Sequence, residues 1–145
     1  MTFNQPSHAL ERFVDAQATV YESVLKELSA GRKSTHWMWF IFPQLKELGH
    51  SQIAKYYGIA SADEALAYWQ DPMLGKRLME CTQLVLAHSD RTAHDIFGSP
   101  DDLKFWSCMT LFAHVAPAET VFRQALARFF DGKPDEATLK LLRVK

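Results

Sequence analysis

Two cations, two hydroxyls and an imidazole run consecutively in Arg32-Lys33-Ser34-Thr35-His36, directly before the apolar run Trp37-Met38-Trp39-Phe40-Ile41-Phe42. Gln44 follows behind Pro43. These residue types suit an anion, because a helix N-terminus offers free N–H groups and Arg and Lys supply counter-charge. Tryptophan adds a stacking surface for a planar ligand group. His36 is the natural general acid or base, since the unperturbed histidine pKa lies near neutrality. The plain alternative is a core helix whose cationic approach is merely solvated, and lysines near a helix end are commonly just that.

A second stretch, Lys104-Phe105-Trp106-Ser107-Cys108-Met109-Thr110-Leu111-Phe112, carries a third cation. On a helix, Phe105, Trp106, Met109, Phe112 and Ala113 share a broad apolar face, with Ser107, Thr110 and His114 in a narrower polar strip flanked by Leu103 and Leu111. Those polar groups either line a pocket or bond to carbonyls one turn back. Taken together, the two stretches predict a small-molecule site between the His36–Gln44 segment and the Lys104–His114 helix. Its ligand is nucleotide-like or phosphorylated. The ligand-binding residues expected are Arg32, Lys33, Trp37, Trp39, Gln44, Lys104, Ser107, Thr110 and His114, with His36 as acid or base of a hydrolase or transferase using no tightly bound cofactor.

Other chemistries have thinner support. Asp90, His94 and Asp95 offer imidazole and carboxylate, and the pair His94-Asp95 resembles the start of an HD-type phosphohydrolase site. Such a site needs further ligands, for which His50 and His88 are the candidates, and no HExxH spacing accompanies them. Ser107 and His114 lie two turns apart, ~11 Å along a helix axis, too far for a nucleophile–base hydrogen bond within the helix. Cys108 falls among apolar residues and reads as core, where burial raises a thiol pKa. No phosphate loop, dinucleotide fingerprint or zinc spacing is present. The alternative from another class is a non-catalytic interaction module using an aromatic patch. Access to Trp39 separates the two, a polar-edged pocket favouring a ligand and a flat apolar patch a partner.

Positioning these residues requires a packed core, and the composition provides one. The chain has 145 residues, 48% apolar and 23% charged, with four Trp, four Tyr and ten Phe. That is one soluble domain, with too much surface seeking burial for a disordered chain. Sixteen Lys+Arg against seventeen Asp+Glu leave a net charge of -1, which argues against nucleic acid as a partner. Cys81 and Cys108 make no disulfide framework. The N-terminus has no basic-then-apolar signal, and the longest apolar run, Trp37 to Phe42, is far short of the ~20 residues of a membrane span. A cytoplasmic location follows as the expectation; oligomeric state is not legible.

Punctuation predicts an all-α domain of seven or eight short helices around a central, aromatic-rich buried helix, placed at Trp37–Phe42 and stopped by Pro43. The ordered core should span about residues 10–143, with 1–8 loose. Leu10, Phe13, Val14, Tyr21, Val24, Leu25 and Leu28 mark one first helix ending at Gly31. Ser51, Ser61 with Glu64, and Asp71-Pro72 read as N-terminal starts. Leu74, Leu78, Cys81, Val85 and His88 mark one face of the helix that Asp71 opens. Asp90, Ser99-Pro100 and Pro117 open three more helices, and a last segment runs from Asp135 to about Arg143.

The string from Gly31 to Gln44, that from Asp101 to Phe112, Phe13-Val14-Asp15-Ala16-Gln17 and Leu74-Gly75-Lys76-Arg77-Leu78 together resemble the bacterial family called domain of unknown function 1810. The resemblance runs from about Leu10 to Leu142 and implies a compact all-helical domain. It implies no established activity and no catalytic residues. Trp106 and Cys108 stand where the motif has Arg and Ser, while Lys104 and Ser107 match it. Members are often labelled calpastatin, a label this chain does not fit: such an inhibitor is a disordered polar chain that folds on its target, and this one is aromatic-rich and globular.

Overall fold

Helix caps set most boundaries, and several lie where the residue types put them. Ser51 Oγ accepts the Ala54 N–H and opens α4, Gln52–Tyr56. Ser61 accepts the Glu64 N–H and opens α5, Ala62–Gln70. The reciprocal half of that box is missing, because the Glu64 carboxylate takes the Ala60 N–H at 2.7 Å and pairs with Arg12 instead. Asp71 caps α6, Pro72–Leu86, through the N–H groups of Met73 and Leu74, with Pro72 in the first turn.

The computed structural model describes residues 6–144, with side chains from 10 to 143. Among the described residues there are ten α-helices and no strand, apart from an isolated parallel bridge between Leu45 and Ile59. The remaining helices are α1 (Pro6–Ala18), α2 (Tyr21–Ala30), α3 (Met38–Ile41), α7 (Ala93–Phe97), α8 (Asp101–Val115), α9 (Val121–Phe130) and α10 (Glu136–Val144), with a 3₁₀ turn at Lys46–Leu48. None is long and apolar enough to cross a membrane. Of the stretch expected to be loose, Pro6–His8 belong to α1, and residues 1–5 lie outside the described part.

Four expectations are corrected. The first helix is two, divided at Thr19-Val20, where the Val20 N–H turns back to Gln17 O. The apolar spacing runs through the break because α1 packs on α3 and α5 while α2 packs on α6. Thr92, rather than Asp90, caps α7, in a full box with Asp95. Ser99 caps nothing; the Ser99–Pro100 peptide is cis, and Pro100 itself occupies the N-cap of α8. Pro117 precedes a turn, and α9 starts four residues later at Val121.

The aromatic run is also shorter as a helix than its composition predicts. Only Met38–Ile41 are helical, one turn ended before Pro43. The place of central helix belongs to α8, which packs against α5, α7, α9 and α10. Phe105, Cys108, Met109, Leu111 and Phe112 are wholly buried in it. Phe105 joins the two segments: its ring meets Phe42 edge-on at 5.1 Å and stacks on Phe97 at 4.7 Å. Burying α3 leaves a carbonyl to satisfy, and Gln17, fully buried on α1, donates its amide to Phe40 O at 2.8 Å.

Candidate ligand site

Gly31, at φ 79°, ends α2 in the left-handed region open to glycine. Its N–H bonds to Leu28 O and that of Arg32 to Glu27 O, the Schellman pattern. This reversal brings the following segment back across Glu27. Glu27 Oε1 accepts the N–H groups of Ser34 at 2.8 Å and Thr35 at 3.0 Å and the Trp37 indole N–H at 2.9 Å. Its Oε2 takes the Thr35 hydroxyl at 2.6 Å. Partial burial raises the pKa of this carboxyl, but the four donors outweigh burial and hold it down at about 2. Glu27 thus fixes the segment that carries the expected site, yet its position inside an amphipathic helix pattern gave no sign of that.

Lys33 is held at both ends. Its N–H bonds to Ile96 O at 2.7 Å, while Nζ lies 2.9 Å from Asp101 Oδ2 and 5.2 Å from the Trp37 ring. Its side chain is 7% exposed, so it is a buried structural cation, not a free counter-charge. Asp101, in the first turn of α8, shares its other oxygen with Lys104 at 3.4 Å. Lys104 Nζ in turn lies 5.3 Å from the ring centre of Trp39. Trp37 is buried, whereas Trp39 keeps part of its surface in water. Arg32 and His36 are exposed on the connecting segment. The structure therefore brings Lys33, Trp37, Trp39 and Lys104 together around Asp101, a residue absent from the expected set.

The other expected residues lie elsewhere. Ser107 Oγ donates to Asp135 Oδ2 at 2.7 Å, Asp135 N–H donates to Thr110 Oγ1 at 2.9 Å, and Thr138 Oγ1 donates to Asp135 Oδ2 at 2.6 Å. The polar strip of α8 is the seat of α10. Thr110 and His114 line a depression of about 350 Å³ with Arg123, Leu126, Pro134 and Leu139, on the α9–α10 side of α8. Gln44, half-buried, supplies its carbonyl to Ile59 N–H at 2.9 Å beside the Leu45–Ile59 bridge.

Asp95 gives its carboxylate to the Thr92 N–H at 3.0 Å, and His94 is exposed with Nδ1 3.5 Å from Asp102. Among the described residues no group of three or more His, Cys, Asp or Glu is placed to hold a metal, so this pair lacks the further ligands it would need. Cys108 is fully buried, and burial pushes its thiol well up. At the position of Trp106, the indole N–H bonds to Lys133 O at 2.8 Å and the ring stacks on Phe130 at 5.6 Å, which ties α8 to the chain after α9.

A family model described as "Protein of unknown function (DUF1810)" matches residues 7–142. Among solved structures, the conserved hypothetical protein Rv1873 from Mycobacterium tuberculosis is similar, with 54% identity and a TM-score of 0.92 over 94% of this chain and 97% of that one. No protein of curated function matches the chain.

Proposed function

Since the chain belongs to the DUF1810 family, whose function is unknown, we propose from the site itself that it binds a small nucleotide-like or phosphorylated ligand at the Trp39–Lys104 face. One observation carries this. A single carboxylate, Asp101, is shared by two ammonium groups, and the more exposed of them, Lys104, lies beside a half-buried indole. The cluster sets its more accessible ammonium next to a planar surface, the pairing that a phosphorylated ring system requires. Arg32, exposed directly before Lys33, extends the positive edge, and the His36 imidazole, exposed directly before Trp37, is the acid–base group of this reading.

Partner binding through an aromatic patch has less support. Among the described residues the exposed large hydrophobics Ile53, Tyr56, Leu66, Met73 and Leu103 are divided among four helices, and a docking surface needs a contiguous patch.

Thermal-shift measurements with nucleotides, dinucleotides, ADP-ribose and sugar phosphates test the proposal. A ligand at a hundred times its Kd adds ~2.7 kcal/mol, a rise of several degrees for a domain of this size. The rise should vanish in folded Trp39→Ala and Lys104→Ala variants. A flat response across the panel, or a shift untouched by both variants, overturns it.

A further inference from the structure

We propose that the cleft between α2 and α6 is a separate binding site, for a small ligand carrying two anionic groups and one ammonium, the chemistry of acidic and phosphorylated α-amino acids. The cleft has a volume of about 410 Å³ and is lined by Tyr21, Pro72, Met73, Lys76, Arg77 and Glu80. Its charged groups are two cations and one carboxylate. Lys76 and Glu80 are one helical turn apart on α6, a spacing at which such side chains commonly pair. Among the described residues, however, neither of them nor Arg77 forms an ion pair.

The charges are kept apart by other bonds. Tyr21 donates its hydroxyl to Glu80 Oε1, drawing that carboxylate toward α2, and Oε2 accepts no hydrogen bond within the described residues. Arg77 lies 4.6 Å from the Tyr21 ring centre and donates to Gln17 Oε1 at 3.2 Å. Gln17 is itself locked, its amide nitrogen bonded to Phe40 O and to Tyr68 OH, 3.1 Å away. The core therefore orients the guanidinium, whose planar fork suits a carboxylate or phosphate oxygen pair. Lys76, exposed on the same wall, matches a second anionic group, and Glu80 Oε2 matches an ammonium. Pro72 and Met73 give an apolar wall for intervening methylenes. The cleft shares no lining residue with the Trp39–Lys104 face, and the proposal stands independently of that one.

Calorimetric titration of the full chain with L-glutamate and with O-phospho-L-serine tests it, glutarate and L-lysine serving as controls. Saturable 1:1 binding is expected for one or both acidic zwitterions, and the tighter of the two identifies the second anionic group as carboxylate or phosphate. Glutarate, which lacks the ammonium, should bind about tenfold more weakly, and L-lysine should not bind. Lys76→Glu should abolish binding, and Glu80→Gln should remove the preference for glutamate over glutarate. Both changes fall on exposed side chains, and circular dichroism verifies the fold. Absence of binding by both zwitterions at millimolar concentration, equal affinity for glutarate, or binding that survives Lys76→Glu overturns the proposal.

Discussion

Glu27 and Trp37 are joined by a 2.9 Å hydrogen bond from the indole N–H to Oε1, the bond that sets the buried tryptophan against the end of α2. The same carboxylate holds Ser34 and Thr35, so three residues of the approach to the aromatic turn hang on one side chain. Glu27→Gln keeps the size but loses the charge and offers one acceptor oxygen instead of two. It should cost roughly 1–3 kcal/mol in urea denaturation at pH 7. The folded pKa is depressed to about 2 from an ordinary 4.5. This carboxylate's contribution is therefore complete above the unfolded value and is lost as pH falls through the folded one. The difference between wild type and variant should narrow between about pH 4.5 and pH 2. A gap that stays constant over that window would show that the donors do not favour the charged form.

The two lysines on Asp101 should separate in a stability assay. Lys33 is 7% exposed and Lys104 24%. Removing the buried partner leaves its neighbours short of a charge, whereas removing the more accessible one lets water take its place. Lys33→Ala should cost about 2 kcal/mol or more and Lys104→Ala less than about 1 kcal/mol. Equal losses would place Asp101 outside the buried pairing described above.

Gly75 lies inside α6, where an exposed glycine would normally be improved by alanine. A Cβ at this position would meet Trp69 O at the end of α5 at a separation of 2.1 Å. Backbone cannot yield as a side-chain tip can. Gly75→Ala should lower stability by more than about 3 kcal/mol, against the ~1 kcal/mol gain that helix propensity alone predicts. Chemical denaturation decides between the signs.

Both thiols should be silent in the native protein. Burial pushes Cys81 up to about 12 and Cys108 well up too, and both side chains are inaccessible. A disulfide-exchange reagent at pH 8 should find no thiol in the folded chain and two in denaturant. Rapid native labelling of Cys108 would reopen it as a nucleophile.

Ser107 and Thr110 should behave as anchors of α10. Ser107→Ala and Thr110→Val should each cost about 1 kcal/mol and raise hydrogen exchange in Glu136–Val144, with no change in ligand shifts at the Trp39 face. Loss of ligand response without any loss of α10 protection would instead return these hydroxyls to a binding role.

Local chemistry determined the all-helical class, the caps at Ser51, Ser61 and Asp71, and the stop at Gly31. Each rests on one side chain or one backbone conformation acting on bonds within a few residues, so the linear order carries it. The two stretches that were singled out do meet, through Phe42–Phe105 and Trp39–Lys104, because a long aromatic run has few places to go but the core. What only tertiary structure decided is the assignment of polar groups. Ser107 and Thr110 do reach back to Leu103 O and Trp106 O, as their spacing allows, but only the fold brings Asp135, 28 and 25 positions along the chain, against the same hydroxyls. Lys33 looks like a free cation until Asp101 neutralises it, and nothing in the spacing marks Gln17 as the donor that Phe40 O needs. A buried polar group must be satisfied by whatever the fold brings near it, and sequence spacing does not encode which group that is.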